Sequence, residues 1–172
     1  MMARSAYTVN FKWNAAVWMV TSASMLFFAV SAGAMLFYAF RDQDAAALVG
    51  SFVISIVGLA AIFVSEGYSP QCLEIGDDSI VVLRRYADVV IRRSEIVGIE
   101  PVPARKIRSA VCIGGSCGLF GFFGRYYANG IGRFDMYATQ FDNLFLVTTV
   151  GRRYVVGCAE PERLAHYLDA RS

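Results

Sequence analysis

Two long uncharged segments occupy most of the first 65 residues of the chain and constrain what it can fold into. The first runs from Ala15 to Phe40 and the second from Ala45 to Ser65, with only residues 41–44 between them. Each exceeds the ~20 apolar residues that an α-helix needs to cross a ~30 Å hydrocarbon core. We therefore predict two transmembrane helices, over about residues 15–40 and 45–65, that form a hairpin in a lipid bilayer.

Small residues recur along both segments and predict close packing of the two helices. Gly33 lies in the first segment, and Gly50 and Gly58 lie in the second, among several serine and alanine residues. Because hydrocarbon does not drive apolar helices together, helices in a bilayer associate through close contacts that small side chains permit. We predict that Gly33, Gly50 and Gly58 contribute to helix–helix packing.

Basic residues next to the predicted helices indicate the orientation. The tail before the first helix carries Arg4 and Lys12, whereas the loop between the helices carries a single basic residue, Arg41. The more basic side of a membrane protein usually faces the cytoplasm. An even number of spans returns the chain to its starting side, so we expect the tail and the rest of the chain to be cytoplasmic.

The four cysteines, Cys72, Cys112, Cys117 and Cys158, show no tight disulfide spacing. In a reducing compartment we expect them to be free thiols, whereas an outward-facing domain would allow disulfides. No C-x-x-C motif occurs and His166 is the only histidine, so no metal site is predicted. The sequence likewise gives no catalytic residues and no cofactor.

The remaining residues have a mixed polar and apolar composition that predicts a domain rich in β-strands. Residues 72–75, 79–83 and 89–92 are short β-type segments separated by turn signals, and residues 96–102 form a further candidate strand. A second hairpin is predicted near residues 143–158, followed by a helix from Glu160 to Ala170. The predicted organisation is an α+β chain, with a membrane anchor over residues 1–70 and one domain over residues 71–172.

A glycine-rich stretch in the middle of the domain has three interpretations. Glycine recurs every third residue from Gly115 to Gly124, with leucine and phenylalanine between. The loop could bind phosphate, although no P-loop lysine follows and the flanking strands lack a βαβ context. It could touch the headgroup layer of the bilayer, or its aromatic side chains could fill the interior of the domain, which is the reading we favour. The residues proposed for membrane or partner contact are Arg105, Lys106, Arg108, Leu119, Phe120, Phe122, Phe123 and Arg125.

Several of these segments together resemble a known family. They are the two spans, residues 96–100 (IVGIE), residues 118–124 (GLFGFFG), residues 137–139 with Asn143, and a Gly-Arg hairpin before a helix opened by residues 160–162. The combination is similar to bacterial pleckstrin-homology-like (PH) domain proteins with an N-terminal two-helix membrane hairpin. The resemblance implies a bent antiparallel sheet, in a barrel or sandwich, with a C-terminal helix, in a multi-pass protein of the bacterial inner membrane. It does not imply an enzyme.

One departure from the family bears on the ligand. PH domains that bind phosphoinositides carry basic residues around the first hairpin turn, whereas here the turn is Gly76-Asp77-Asp78. Phosphoinositide binding at that place is therefore not expected. Arg84, Arg85 and the cluster over residues 105–108 are the other basic residues considered, and solvation at the surface is the simplest role for them.

The function predicted from the sequence is that of a non-enzymatic integral membrane protein. Its PH-like domain would bind a protein partner or the membrane surface at the cytoplasmic face. The alternatives are a structural subunit, such as a homo-oligomer, assembled through the helical hairpin, and a nucleotide or phosphate binder that uses the glycine-rich loop. A net charge of +2 without a polybasic segment gives no argument for nucleic-acid binding.

Overall fold

Two long antiparallel helices follow a short N-terminal strand. In the computed structural model, which describes residues 7–158, α1 spans Ala15–Asp42 and α2 spans Ala45–Tyr68. The side chains of Asn14 and Asp44 cap the two helices by accepting hydrogen bonds from backbone N–H groups of the first turn (2.9 and 2.8 Å). Both helices contain the predicted spans and extend them by a few residues.

Both helices are long and apolar enough to cross a membrane. Only 6% of the most apolar part of α1 and 11% of that of α2 are buried within the protein, whereas a core helix of a soluble protein is mostly buried. Large apolar side chains such as Phe27, Phe40 and Ile56 are exposed on the two helices. An apolar surface of this kind suits contact with lipid, as the composition predicts.

Within residues 7–158, ten strands form two sheets that do not close into a barrel. The first sheet has the order β1-β2-β3-β4, all antiparallel, and the second has the order β5-β9-β10-β8-β7-β6, in which β10 runs parallel to β8. The strands are β1 (Tyr7–Asn10), β2 (Cys72–Ile75), β3 (Ser79–Leu83), β4 (Val89–Arg92), β5 (Ile96–Val102), β6 (Val111–Cys117), β7 (Phe122–Ala128), β8 (Gly132–Ala138), β9 (Leu144–Thr149) and β10 (Arg153–Gly157). A 3₁₀ turn (Arg93–Glu95) precedes β5, and a short helix, α3 (Ala104–Arg108), precedes β6. The predicted α+β class is confirmed.

Strand β1 joins the two ends of the helical hairpin. It precedes α1 in the chain and pairs with β2, which follows α2, in the register Tyr7–Ile75 to Asn10–Cys72. The sequence pattern does not predict this strand, and all of residues 1–70 were predicted to belong to the anchor. Because β1 belongs to the sheet, the chain enters and leaves the hairpin at the same place, which is the geometry that an even number of membrane spans requires.

Two hydrophobic clusters lie on opposite faces of the six-stranded sheet. The inner cluster fills the space between the two sheets, with Leu73, Val82 and Ile91 from the first sheet packed against the second. The outer cluster is covered by α3, through Ile107, and by the start of α1, through Val17. Helix α1 is therefore part of the domain's own core at its first turn. The predicted helix over residues 160–170 and His166 lie outside the described residues.

The three glycines predicted to pack the helices together divide into two groups. A Cβ atom added to Gly50 would lie 2.8 Å from Cε of Met35, and one added to Gly58 would lie 2.8 Å from Cγ of Phe28. These two glycines therefore allow α1 and α2 to approach. A Cβ atom on Gly33 would meet nothing within 4 Å. The prediction for Gly33 is corrected, because this residue faces away from α2.

We expect Gly58→Leu to destabilise the hairpin. The larger side chain must displace the Phe28 ring, and overpacking of this kind typically costs about 1–3 kcal/mol. The thermal unfolding midpoint of the protein in detergent should fall for Gly58→Leu and stay unchanged for the matched control Gly33→Leu. A lower midpoint for Gly33→Leu, together with loss of an oligomer, would show instead that this glycine packs against a second copy of the chain.

Candidate functional site

The glycine-rich stretch forms a sharply bent ribbon of β6 and β7. Gly115 and Gly124 face each other across the ribbon, with φ of 129° and 113°. A Cβ atom on Gly115 would overlap the carbonyl oxygen of Phe123, and one on Gly124 would overlap the carbonyl oxygen of Gly114. Both positions need glycine for conformation and for space. The regular glycine spacing is thus explained by a bend in the chain.

The bend also brings two cysteines together. Cys112 and Cys117 lie on the same strand, yet their Cα atoms are 6.3 Å apart and their sulfur atoms form a disulfide. Five residues of a straight strand would span about 16 Å. The sequence spacing does not predict this proximity, because the curvature of β6 is not visible in it, whereas the expectation of free thiols concerned a reducing compartment only. Among the described residues, Cys72 and Cys158 are outside any disulfide.

The turn between β6 and β7 lies against the start of α1. It is closed by a hydrogen bond from the N–H of Gly118 to the carbonyl of Gly121 (3.1 Å). A Cβ atom on Gly118 would lie 3.2 Å from the Val20 side chain, so the glycine permits close approach of turn and helix. The contact lies about 8 Å along α1 from its first residue, Ala15.

The peptide groups of Phe120 connect this turn to both helices. Its N–H donates to Oγ1 of Thr21 on α1 (3.0 Å), and its carbonyl accepts from the hydroxyl of Ser69, directly after α2 (2.6 Å). Thr21 and Ser69 are buried, and Phe120 has φ of +58°. Backbone groups buried in this way need partners. Two hydroxyl groups from the two ends of the hairpin thus hold the turn in place.

Aromatic rings surround the same junction. The Phe120 ring packs edge-on against Trp13 (ring centroids 5.5 Å apart), and Trp13 packs against Trp18 (5.0 Å). Trp18 is 59% exposed. Tryptophan side chains are enriched at the level of lipid headgroups. If the hydrocarbon region begins just beyond Thr21, about 19 uncharged residues of α1 remain before Arg41, which corresponds to about 28 Å.

A second contact joins the β3–β4 turn to the last turn of α2. Nη1 of Arg85 lies 2.8 and 2.6 Å from the two carboxylate oxygens of Glu66. The N–H of Tyr86 donates to the carbonyl of Gly67 (3.1 Å), and a Cβ atom on Gly67 would overlap the Tyr86 ring. The domain is therefore attached to the hairpin at two separated places, which restricts rotation about the short connection between α2 and β2.

Arg84 lies between the end of α2 and the sheet. Its guanidinium group lies 5.5 Å from the centre of the Tyr68 ring and 5.4 Å from that of Tyr137. Stacking between two aromatic faces is a favourable environment for a guanidinium group. Nε of Arg84 is buried and has no hydrogen-bond partner among the residues that the structure describes. The side chain links the membrane helix to the inner cluster, a role beyond the surface solvation expected from the sequence.

The three phenylalanines proposed as contact residues are buried. Phe120, Phe122 and Phe123 are only 7–8% exposed, and Phe122 and Phe123 lie in the outer and inner clusters, respectively. They cannot contact lipid or a partner, so the prediction that they belong to the contact surface is corrected. Leu119 is partly exposed. Their burial agrees with the interpretation that the aromatic residues of the loop fill the interior of the domain.

The basic residues of the proposed contact surface lie in two places. Arg105, Lys106 and Arg108 are exposed on α3, where the Arg108 guanidinium lies 5.7 Å from the centre of the Phe141 ring. Arg125 is also exposed but lines a groove on another part of the six-stranded sheet. The prediction of one contact surface is therefore corrected to two. The sequence does not show that α3 and the Arg125 position of β7 lie on different parts of the domain.

The acidic first hairpin turn lies in a mixed environment. Asp77 and Asp78 line an open groove together with Arg92 and Arg93. A groove with equal numbers of acidic and basic residues offers no excess positive charge for a polyphosphate headgroup. This geometry agrees with the departure from phosphoinositide-binding PH domains that the sequence indicates.

Burial changes the acidity of two tyrosines in the domain. Burial raises the pKa of Tyr126 to about 12, and its hydroxyl donates to the carbonyl of Ser116. Burial and then the nearby Asp135 carboxylate raise the pKa of Tyr137, with Arg84 acting in the opposite direction. Both hydroxyl groups therefore stay protonated at neutral pH, where they serve packing and hydrogen bonding.

We expect Thr21→Val to weaken the junction. The substitution preserves the shape of the side chain but leaves the buried N–H of Phe120 without an acceptor, which typically costs about 1–3 kcal/mol. Hydrogen exchange of the Phe120 amide should accelerate and the thermal midpoint in detergent should fall. Ser22→Val, at the exposed neighbouring position, is the matched control. An unchanged Phe120 exchange rate in Thr21→Val would contradict the proposed hydrogen bond.

Comparison with known proteins gives one result for this chain. The model of the bacterial PH domain family matches residues 72–172, which is more than half of the sequence. No curated protein and no solved structure matches. The match begins at the first residue of β2 and leaves the two apolar helices outside, so it agrees with the resemblance carried by the strands and the glycine-aromatic stretch. The chain belongs to the bacterial PH domain family.

Proposed function

We propose that this protein is a non-enzymatic, membrane-anchored docking protein whose PH-like domain binds a protein partner through the surface remote from the bilayer. The observation that carries the proposal is the double attachment of the Phe120 peptide groups to Thr21 and Ser69. A domain fixed to its anchor in this way presents its free surface at a constant height and angle. Such a fixed position favours recognition of a partner at the membrane surface.

The free end of the domain carries exposed apolar side chains. Val97 is 70% exposed and Val150 is 83% exposed, and both lie near the pairing of Ile96 with Thr149. The opposite end of β9, at Leu144, is near the membrane junction. Six residues of strand separate the two ends by about 20 Å. These valines therefore lie at the end of the sheet far from the junction with the helices, and we infer that this end contacts the partner.

Three features favour binding over catalysis. Among residues 7–158, no group of three or more His, Cys, Asp and Glu side chains could hold a metal ion. The tyrosine pKa shifts in the domain keep the side chains neutral and suit packing. The peptide groups of Phe120 in the glycine-rich loop are hydrogen-bonded to Thr21 and Ser69, so these groups are already occupied. We propose no enzymatic activity, and no nucleotide or phosphate binding by this loop.

We propose that the tail and the domain face the cytoplasm, in the bacterial inner membrane. Arg4 and Lys12 outnumber Arg41 of the connecting loop, and β1 fixes the tail to the domain side. In the reducing cytoplasm Cys112 and Cys117 would be held as a dithiol, and the bond between them would form on oxidation.

Thiol labelling tests this orientation in whole cells. A maleimide that cannot cross the membrane should label a cysteine introduced at Asp42, at the end of α1 next to the connecting loop, but not one at Val150, in a background with the native cysteines replaced by serine. Labelling at Val150 with protection at Asp42 would reverse the assignment. A constitutive Cys112–Cys117 disulfide in growing cells would agree with that reversed result.

Photo-cross-linking of the full-length protein in its native membrane tests the docking function. A photoreactive phenylalanine at Val150 should give an adduct of one defined mass, and the adduct should be lost when Val97→Asp is added. Val90→Asp, at an exposed position of β4, is the control and should leave the adduct in place. No adduct from Val150 would contradict the proposal, and an adduct of twice the chain's mass would favour a homo-oligomer.

A further inference from the structure

Four arginine side chains line one groove on the six-stranded sheet. The groove has a volume of about 440 Å³, and its charged lining consists of Arg125, Arg133, Arg152 and Arg153 around a single carboxylate, Asp135. All four arginines are exposed. The groove is separate from the glycine-rich turn and from the junction with the helices.

Strand register explains why these residues gather. Arg125 on β7 is opposite Asp135 on β8, and Asp135 is aligned with Tyr154 on the parallel strand β10. Arg133 precedes Asp135 by two residues, and Arg152 precedes Tyr154 by two. Continuing the parallel register therefore places Arg133 and Arg152 on neighbouring strands. They share the face that carries the inner cluster, beyond the part that the four-stranded sheet covers.

The charges in this groove are not balanced within the described part of the chain. The ion pairs there join Arg41 to Asp42, Arg85 to Glu66 and Arg92 to Glu95, so they involve none of the groove arginines. One groove side chain, Arg153, is held by donating to the carbonyl of Ile131. Like charges on neighbouring strands destabilise a sheet. An anion bound between them would remove this repulsion, and guanidinium groups suit carboxylate ligands.

The position of the groove favours a polypeptide over a lipid headgroup. Arg152 follows Val150 by two residues and therefore lies at the end of the domain remote from the bilayer. Ile113, 56% exposed on the edge strand β6, also lines the groove. Basic side chains spread over the neighbouring strands β7, β8 and β10, beside an exposed apolar side chain, are complementary to an extended acidic chain.

We propose that this groove binds an extended segment rich in Asp and Glu side chains that belongs to the protein partner. The inference rests on the proposed docking function and specifies the chemistry of the partner. Carboxylates of the segment pair with Arg125, Arg133 and Arg152, so the segment crosses β7, β8 and the start of β10 beside Ile113. Asp135 opposes the bound charges and so limits the affinity.

Binding of fluorescein-labelled octaglutamate to the full-length protein in neutral lipid nanodiscs tests the inference. The affinity, measured by fluorescence anisotropy, should fall about tenfold or more in Arg133→Gln/Arg152→Gln, since two charge-assisted contacts are lost. Asp135→Asn should bind severalfold more tightly, which a misfolded variant would not do. Arg108→Gln, an exposed arginine on α3, is the matched control and should bind like the wild type.

Two further measurements make the outcome decisive. The thermal midpoint of Arg133→Gln/Arg152→Gln should be equal to or higher than that of the wild type, because the repulsion between the two side chains is gone. Equal weakening by Arg108→Gln, or octaglutamate binding that does not change in the double variant, would overturn the proposal. A further outcome is that millimolar inorganic phosphate displaces octaglutamate from the wild type but not from the double variant. That result would assign a phosphate site to the groove and would overturn the proposal.

Failure of this inference is distinguishable from failure of the docking function. If the double variant loses octaglutamate binding but the wild type never forms the Val150 photo-adduct, the groove binds acidic chains while the docking function is contradicted. If the adduct forms equally in the double variant and in the wild type, the domain docks a partner but the groove does not contribute.

Discussion

The hydrogen bonds of the Phe120 peptide groups connect the two halves of this molecule. The helical hairpin and the sheet domain would otherwise be joined by short connections alone. Thr21 and Ser69, which lie near the two ends of the hairpin, satisfy the donor and the acceptor of one residue in a single turn. Because both backbone groups are buried, separating the domain from the helices would leave them unpaired, at a substantial free-energy cost. The anchor and the domain therefore behave as one body.

The bend in the β6–β7 ribbon is what allows that turn to reach the helices. Gly115 and Gly124 fold the ribbon at one level, so that β7 contributes Phe122 and Phe123 to opposite faces of the sheet while the turn extends to α1. The disulfide between Cys112 and Cys117 closes the inside of the same bend. In a reducing compartment, the facing glycines alone must maintain this curvature.

The sequence predicts those features that depend on local composition. Length and hydropathy were enough for α1 and α2, and alternating β-branched residues with turn signals were enough for β2, β3 and β4. It did not predict β1, because four residues before a membrane helix carry little pattern and the strand forms only by pairing with β2, some 60 residues later. Local sequence signals predict the elements that form from local preferences, whereas a strand such as β1 also requires a pairing partner that is distant in the sequence.

The same reasoning separates the site residues that were predicted from those that were missed. Gly58 was identified because small residues in a span have a general meaning, whereas the outward direction of Gly33 depends on the rotation of α1. Thr21 was not predicted, because its sequence context does not distinguish it from other polar residues in a predicted span. The groove arginines were visible as scattered charges, but their meeting depends on β8 and β10 being parallel neighbours, which no local signal indicates.

A fixed attachment has a consequence for affinity that a flexible tether would not have. A loosely tethered domain samples many orientations, so each binding event must restrict its motion, which lowers the net affinity. Here the contacts of Glu66 and Gly67 with the β3–β4 turn, together with those of Phe120, have already restricted it. The arginine groove is then held about 20 Å from the junction, along the length of β9. A partner that is itself confined to the membrane surface would meet the groove at a high effective concentration, so modest contacts could suffice for stable association.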